Sequence, residues 1–222
     1  MTAGTDPLEA VWEHREDVVY PGLFGSKSRG IFVLEAETFA KVIGEETIDP
    51  RWLFHGVFEF EPTEERPTWL YVTSGTSTPW GQEPESYAEA EYSGIGTELV
   101  FESTEQGDWA IVLLQRMLAF NILLSYRRFG DANPLDYWQR IPYRGPITLE
   151  RPSLLQHLVV GLPTHFPSSF QLQSGRVDLL QVVGITEAEQ EFAKEHGSDK
   201  LIEILAEADA YPVTSPSRAS II

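Results

Sequence analysis

Imidazole is the side chain best suited to proton transfer and metal binding near neutral pH. The chain has five: His14, His55, His157, His165 and His196. None falls in an H-E-x-x-H or related ligand spacing. His55 and His157 lie in strand-like runs, where packing with one hydrogen bond is expected. His196 precedes a helix stop, where a partly charged ring suits the helix dipole. His165 stands apart, in a loop bounded by Pro163 and Pro167 beside Ser168 and Ser169. A hydrolase using His165, or the carboxylates of residues 130–138, is one reading of these residues.

The 130–138 segment gathers Asp131, Asn133 and Asp136 beside Tyr137 and Trp138. Its spacing loosely follows a calcium loop, but the required glycine and terminal glutamate are missing. Turn chemistry accounts for the Asp, Asn and Pro134, and aromatics beside a turn suit a protein contact. The chain has no cysteine, which excludes disulfides, thiolate-bound zinc, iron–sulfur clusters and a thiol nucleophile. There is no phosphate-binding G-x-x-x-x-G-K-[ST] and no G-x-S-x-G. Gly94-Ile95-Gly96 opens a strand rather than a helix, the wrong setting for a dinucleotide fingerprint. No cofactor and no metal are expected.

Charge is the stronger signal. Among 222 residues, 34 are acidic and 16 basic, for a formal net charge of −18. No Lys or Arg occurs between Arg66 and Arg116, where Glu83, Glu85, Glu89, Glu91, Glu98, Glu102, Glu105 and Asp108 all fall. Phosphate binding needs the opposite sign, so nucleic acid is not an expected partner. A cationic protein would be steered to such a surface; the same charge also serves solubility.

These residues need a frame. Residues 7–17 read as a short amphipathic helix with Leu8, Val11 and Trp12 on one side. Strands are expected over Gly30–Phe39 (running on into a short helix), Trp52–Phe60, Pro67–Ser74, Gly94–Glu102, Leu154–Leu162, Phe170–Leu172 and Gly175–Gly184. In Gly94–Glu102, the alternation predicts one buried face and one wet face carrying Glu98 and Glu102. Gly75–Ser93 lacks an apolar period and is expected to be a surface loop. Trp109–Tyr126 carries one charge, Arg116. It is short for a membrane span, and Arg116, Gln115 and Asn121 would sit in lipid at high cost, so a central buried helix is expected, with Asp108 as its cap. Thr186 and Glu189 form a capping box, Gly197 a stop, and Ser198 a second cap, giving two C-terminal helices. The grouping of strands points to an α+β fold with a mixed or antiparallel sheet. One domain over 1–222 is expected, with its core at about 20–210 and a tail, 211–222, that docks on it. The N-terminus lacks a basic start and apolar run, so a cytoplasmic location is expected.

In order along the chain, Gly94-Ile95-Gly96-Thr97-Glu98-Leu99-Val100-Phe101 resembles the G-x-G-x-E-L-T-F block of Suppressor of fused (Sufu) domains. Leu113–Ala119 resembles the helix that follows it, Leu135-Asp136 the next loop, Leu155-Gln156-His157-Leu158 the next strand, and Leu180–Thr186 the L-Q-x-V-G block. The resemblance covers roughly residues 20–218 and implies an α+β domain that binds proteins rather than catalysing. Animal members hold Gli-type transcription factors and carry a second domain that this chain does not match. Stand-alone bacterial members are thought to act as immunity proteins against polymorphic toxins, and this chain is similar to that kind. The candidate contact residues are Glu83, Glu85, Glu89, Glu91, Glu98, Glu102, Asp131, Asp136, Tyr137 and Trp138. The alternatives are the hydrolase above and a scaffold subunit without a dedicated ligand.

Overall fold

A computed structural model describes residues 6–44, 47–89 and 91–222. Asp6 caps helix α1 (Pro7–Glu13), accepting from the Leu8 N–H. The helical path continues through a π-helical stretch, His14–Val19, into α2 (Tyr20–Phe24) and stops at Gly25, whose φ of 89° suits glycine. Gly30–Phe39 yields only a two-residue strand, β1 (Phe32–Val33), before α3 (Ala36–Ile43). The run read as a strand from Trp52 is a 3-10 turn, Pro50–Phe54, capped by Asp49, followed by β2 (Gly56–Phe60). Pro50 at the first helical position favours the turn over an extended start.

Next come β3 (Trp69–Ser74), β4 (Tyr92–Ser103), helix α4 (Asp108–Ser125), β5 (Arg140–Pro142), β6 (Leu155–Gly161), β7 (Ser169–Leu172) and β8 (Gly175–Thr186). Helices α5 (Glu187–His196) and α6 (Ser198–Glu207) and the two-residue β9 (Val213–Thr214) complete the chain. The sheet order is β1-β2-β3-β4-β8-β6-β5, with β7 paired to β8 and β9 to β4. β4 runs parallel to β8 and β9, and the other pairs are antiparallel, so the sheet is mixed.

Both faces of this sheet are covered. Leu99 and Phe101 of β4 and Leu180 and Val182 of β8 meet Trp109, Leu113, Leu114 and Met117 of α4. On the other face Val100, Val177 and Leu179 meet Val11, Tyr20 and Phe24 of the N-terminal helices. Val183 and Ile185 meet Leu201 and Leu205 of α6. Coverage on both sides leaves β8 and the second half of β4 almost continuously buried, polar residues included. It also overturns the expected wet face, because Glu98 and Glu102 are 0% exposed.

α4 is the one helix among the described residues long and apolar enough to cross a bilayer, and two-thirds of it is buried against protein. Asp108 is its first residue rather than its cap; Gly107 is the cap, and Asp108 binds Arg29 at 2.9 Å. The capping box of α5 is formed, with Thr186 and Glu189 bonded reciprocally. Gly197, not Ser198, caps α6, and Ser198 Oγ instead accepts from Arg140 at 2.7 Å. The tail docks through β9 and through Arg218, which holds buried Glu189 with bonds of 2.5 and 2.6 Å.

Candidate partner-binding surface

Residues 75–93 divide into two parts. Gly75–Pro79 is buried rather than a free surface loop, because it wraps the Glu98 carboxylate. Glu98 Oε1 accepts from the Gly75 N–H (2.9 Å), the Ser77 N–H (2.9 Å) and Ser77 Oγ (2.7 Å). Its Oε2 accepts from Thr73 Oγ1 (2.6 Å) and Thr76 Oγ1 (2.9 Å). A buried charge requires such a shell. Arg15 donates to Ser77 and Thr78 at 3.0 Å behind it. His55 is buried beside Gly75, and burial lowers its pKa to about 4 against the opposing pull of Glu98. Glu98 therefore builds the surface from inside and is not itself a contact residue.

The second part, from Gly81, is solvated. Glu83, Glu85, Glu89 and Glu91 are exposed, and none forms an ion pair among the described residues. Bonds to its carbonyls fix the end of this stretch to β8 and β7: the Arg176 backbone N–H donates to Glu91 O at 2.7 Å, and the Gln171 side-chain Nε2 to Glu89 O at 3.5 Å. There it meets the other predicted loop. Tyr92, Ile95 and Thr97 of β4, Pro134 and Asp136 of the loop, and Asp178 of β8 line one open groove of about 320 Å³. The groove sits where a bulge between Tyr92 and Thr97 interrupts the β4–β8 ladder.

Within the loop, Asp131 and Asp136 are exposed, and Asp136 Oδ1 accepts the Tyr137 N–H at 2.7 Å. Tyr137 turns inward, its hydroxyl donating to Leu179 O at 3.2 Å, and burial pushes its pKa up to about 12. Trp138 is 44% exposed at a φ of 68°. Tyr92 donates to Asp178 at 3.1 Å, and that carboxylate raises the phenol's pKa. The structure thus brings Asp136 into one groove with Tyr92 and Asp178, two residues the sequence reading missed. Their signal was faint: one Tyr ahead of a Gly-rich strand and one Asp in an apolar strand.

Glu102 is removed from any partner surface. Its Oε2 takes His165 Nδ1 at 2.8 Å and Thr68 Oγ1 at 2.9 Å. His165 therefore faces a buried strand carboxylate, not the carboxylates of 130–138. No cluster of three or more His, Asp or Glu suited to a metal ion occurs among the described residues.

A second groove, about 580 Å³, lies between α4 and the β5 end of the sheet. Met117, Phe120, Phe129 and Tyr143 form its apolar wall, and Lys41, Arg116 and Arg144 its rim. Arg116 donates to the Tyr143 hydroxyl at 3.1 Å.

A family model for Suppressor of fused protein (SUFU) matches residues 54–219. The match spans more than half of the sequence, so the chain belongs to the Suppressor of fused family. A comparison with curated proteins gave no match. Among solved structures, a SUFU homologue from Neisseria gonorrhoeae superposes with a TM-score of 0.62 at 16% identity, over 99% of this chain and 98% of that one. A chain from the crystal structure of the Sufu–Fu complex gives 0.64 at 21% identity, over 96% and 91%. Drosophila Suppressor of Fused gives 0.58 at 20% identity over 75% of this chain, which spans 42% of the fly protein's chain. At these identities the likeness shows the fold.

Proposed function

We propose that this chain is a protein-binding module whose acidic face receives a cationic protein. In its finer form, it is a cytoplasmic immunity protein that neutralises a toxin. The observation that carries the reading is the solvated stretch with Glu83, Glu85, Glu89 and Glu91 unpaired among the described residues, closing onto the Tyr92–Asp136 groove. A fold neighbour found in complex with Fu supports binding as the mode of action. Complementary charge raises association rates more than it deepens affinity, and the same sign disfavours nucleic acid.

The test is affinity capture from the native cell, followed by rapid-mixing kinetics of the captured partner against the wild type and a Glu83, Glu85, Glu89, Glu91→Lys variant. The variant is expected to associate at least about tenfold more slowly, with a flattened salt dependence. An unchanged rate and salt slope would remove the charge from the reading.

The groove beside Phe129 favours a second contact of opposite sign. Its Arg116 and Arg144 rim suits an acidic, apolar segment of the same partner.

A further inference from the structure

Three aromatic rings from distant parts of the chain meet at the surface. Trp12 of α1 stacks on Phe54 at 5.9 Å between ring centroids and meets Trp80 edge-on at 5.3 Å; Phe54 and Trp80 are 6.0 Å apart. Phe54 is 60% exposed, although it ends a short 3-10 turn whose neighbour Trp52 is buried. An exposed phenylalanine held between two indoles gains little for the fold and offers a rigid apolar anchor.

The support beneath it is fixed. The Trp12 indole N–H donates to Thr78 Oγ1 at 2.9 Å, and Thr78 also holds Arg15. Thr78 follows Ser77, which holds Glu98 with two bonds, so the platform is tied to the buried carboxylate.

The charge around the platform is one-sided. Glu9 and Glu13 of α1 are exposed and, like Glu83 and Glu85, form no ion pair among the described residues. The two segments run close together, since Tyr87 packs against the apolar cluster that holds Val11 of α1. Two cations beside it are already engaged: Arg15 is buried and pairs with Glu16 at 3.0 Å, and Arg51 pairs with Asp49 at 2.5 Å.

Ring faces and unpaired carboxylates attract the same chemistry, a guanidinium with an apolar neighbour. We infer that the Trp12–Phe54–Trp80 platform is the anchoring point for an arginine-bearing segment of a partner protein. This rests on the acidic-face reading above and supplies its short-range contact.

The probe is a fluorescent ten-residue peptide alternating arginine with leucine, and its twin with neutral citrulline in place of arginine. Binding is read by anisotropy, with circular dichroism confirming that each variant is folded. The arginine peptide is expected to bind and its twin to bind at least about tenfold more weakly. Phe54→Ala and Phe54→Leu should each weaken the arginine peptide about fivefold to tenfold, because the ring rather than its bulk is needed. The Glu83, Glu85, Glu89, Glu91→Gln variant should weaken it and flatten its salt dependence. Loss in the Glu variant with none in the Phe54 variants would overturn the platform and leave the acidic face standing. No binding, or binding indifferent to both sets, would overturn both. Full recovery in Phe54→Leu would overturn the assignment to arginine.

Discussion

Ser77 grips Glu98 twice, with its backbone N–H at 2.9 Å and its hydroxyl at 2.7 Å on the same carboxylate oxygen. A family-block residue in the middle of the sheet thus sets the path of the loop that leads to the acidic stretch. Replacing Glu98 with Ala would leave the Gly75 and Ser77 N–H groups and the Thr73 and Ser77 hydroxyls without this acceptor, while the Thr76 hydroxyl keeps Thr97 O. Unpaired buried donors cost about 1–3 kcal/mol each before relaxation. Glu98→Ala is therefore expected to lose at least about 3 kcal/mol of stability in urea unfolding. It should also change Trp80 fluorescence, and an unchanged midpoint would contradict the cage.

Gly94 tests the same loop from outside. Its φ is 62°, and an added Cβ would lie 2.5 Å from Thr78 O and 2.6 Å from Thr76 O. Both obstacles are backbone, so neither can rotate away. Gly94→Ala should cost about 2–4 kcal/mol, whereas Gly81→Ala, with open space around it, should lie within about 0.5 kcal/mol of the wild type. Thermal melts of the pair separate the two cases.

His55 ties stability to pH. Its folded-state pKa of about 4, lowered by burial, lies under the ordinary value of 6.5. Below 6.5 the unfolded chain takes up a proton that the folded chain refuses. Its contribution is therefore full above pH 6.5 and falls away toward pH 4, by about 1.4 kcal/mol per pH unit. Urea unfolding at pH 7 and pH 5 should show that slope in the wild type. His55→Asn should lose the part of it that belongs to this ring.

Glu189 acts in the same sense at a lower pH. Burial raises its pKa, but the two Arg218 bonds and the Thr186 and Ile221 N–H groups outweigh that and hold it below the ordinary carboxylate value. A depressed carboxylate stabilises the fold above its unfolded pKa, and the benefit disappears as pH falls through the folded value. Arg218→Ala should destabilise the neutral protein by about 3 kcal/mol. Hydrogen exchange should then quicken at Ile221, and the penalty should shrink in acid.

Much of this architecture was legible. Helix α4 and strands β6 and β8 followed from apolar periodicity, and the Thr186–Glu189 capping box from four residues, because these signals are local. The three-residue β5 (Arg140–Pro142) was missed, being too short to show a period inside a Pro- and Gly-rich stretch. What sequence could not show was how far each strand is covered. Alternation in Gly94–Glu102 reads as one wet face whether its glutamates meet water or a shell of hydroxyls. Only the packing of α1 and α6 on the far side of the sheet distinguishes the two. The exposed carboxylates, Glu83 to Glu91, were legible for the converse reason: no apolar residue near them has a period to bury. The Trp12–Phe54–Trp80 cluster was not, since 42 residues separate Trp12 from Phe54 and 26 separate Phe54 from Trp80.

The parallel pairing of β4 with β8 has a consequence for synthesis. Thr97 lies against Asp178 in that ladder, so the two halves of the central seam leave the ribosome far apart in time. Until β8 is made, the edge of β4 that will face it, chiefly Thr97 to Phe101, is unpaired, and its neighbour α4 has only part of its sheet to cover. Such long-range closures are slow, and open apolar edges invite pairing with other chains. The nascent protein must therefore wait for its centre to be completed after its periphery.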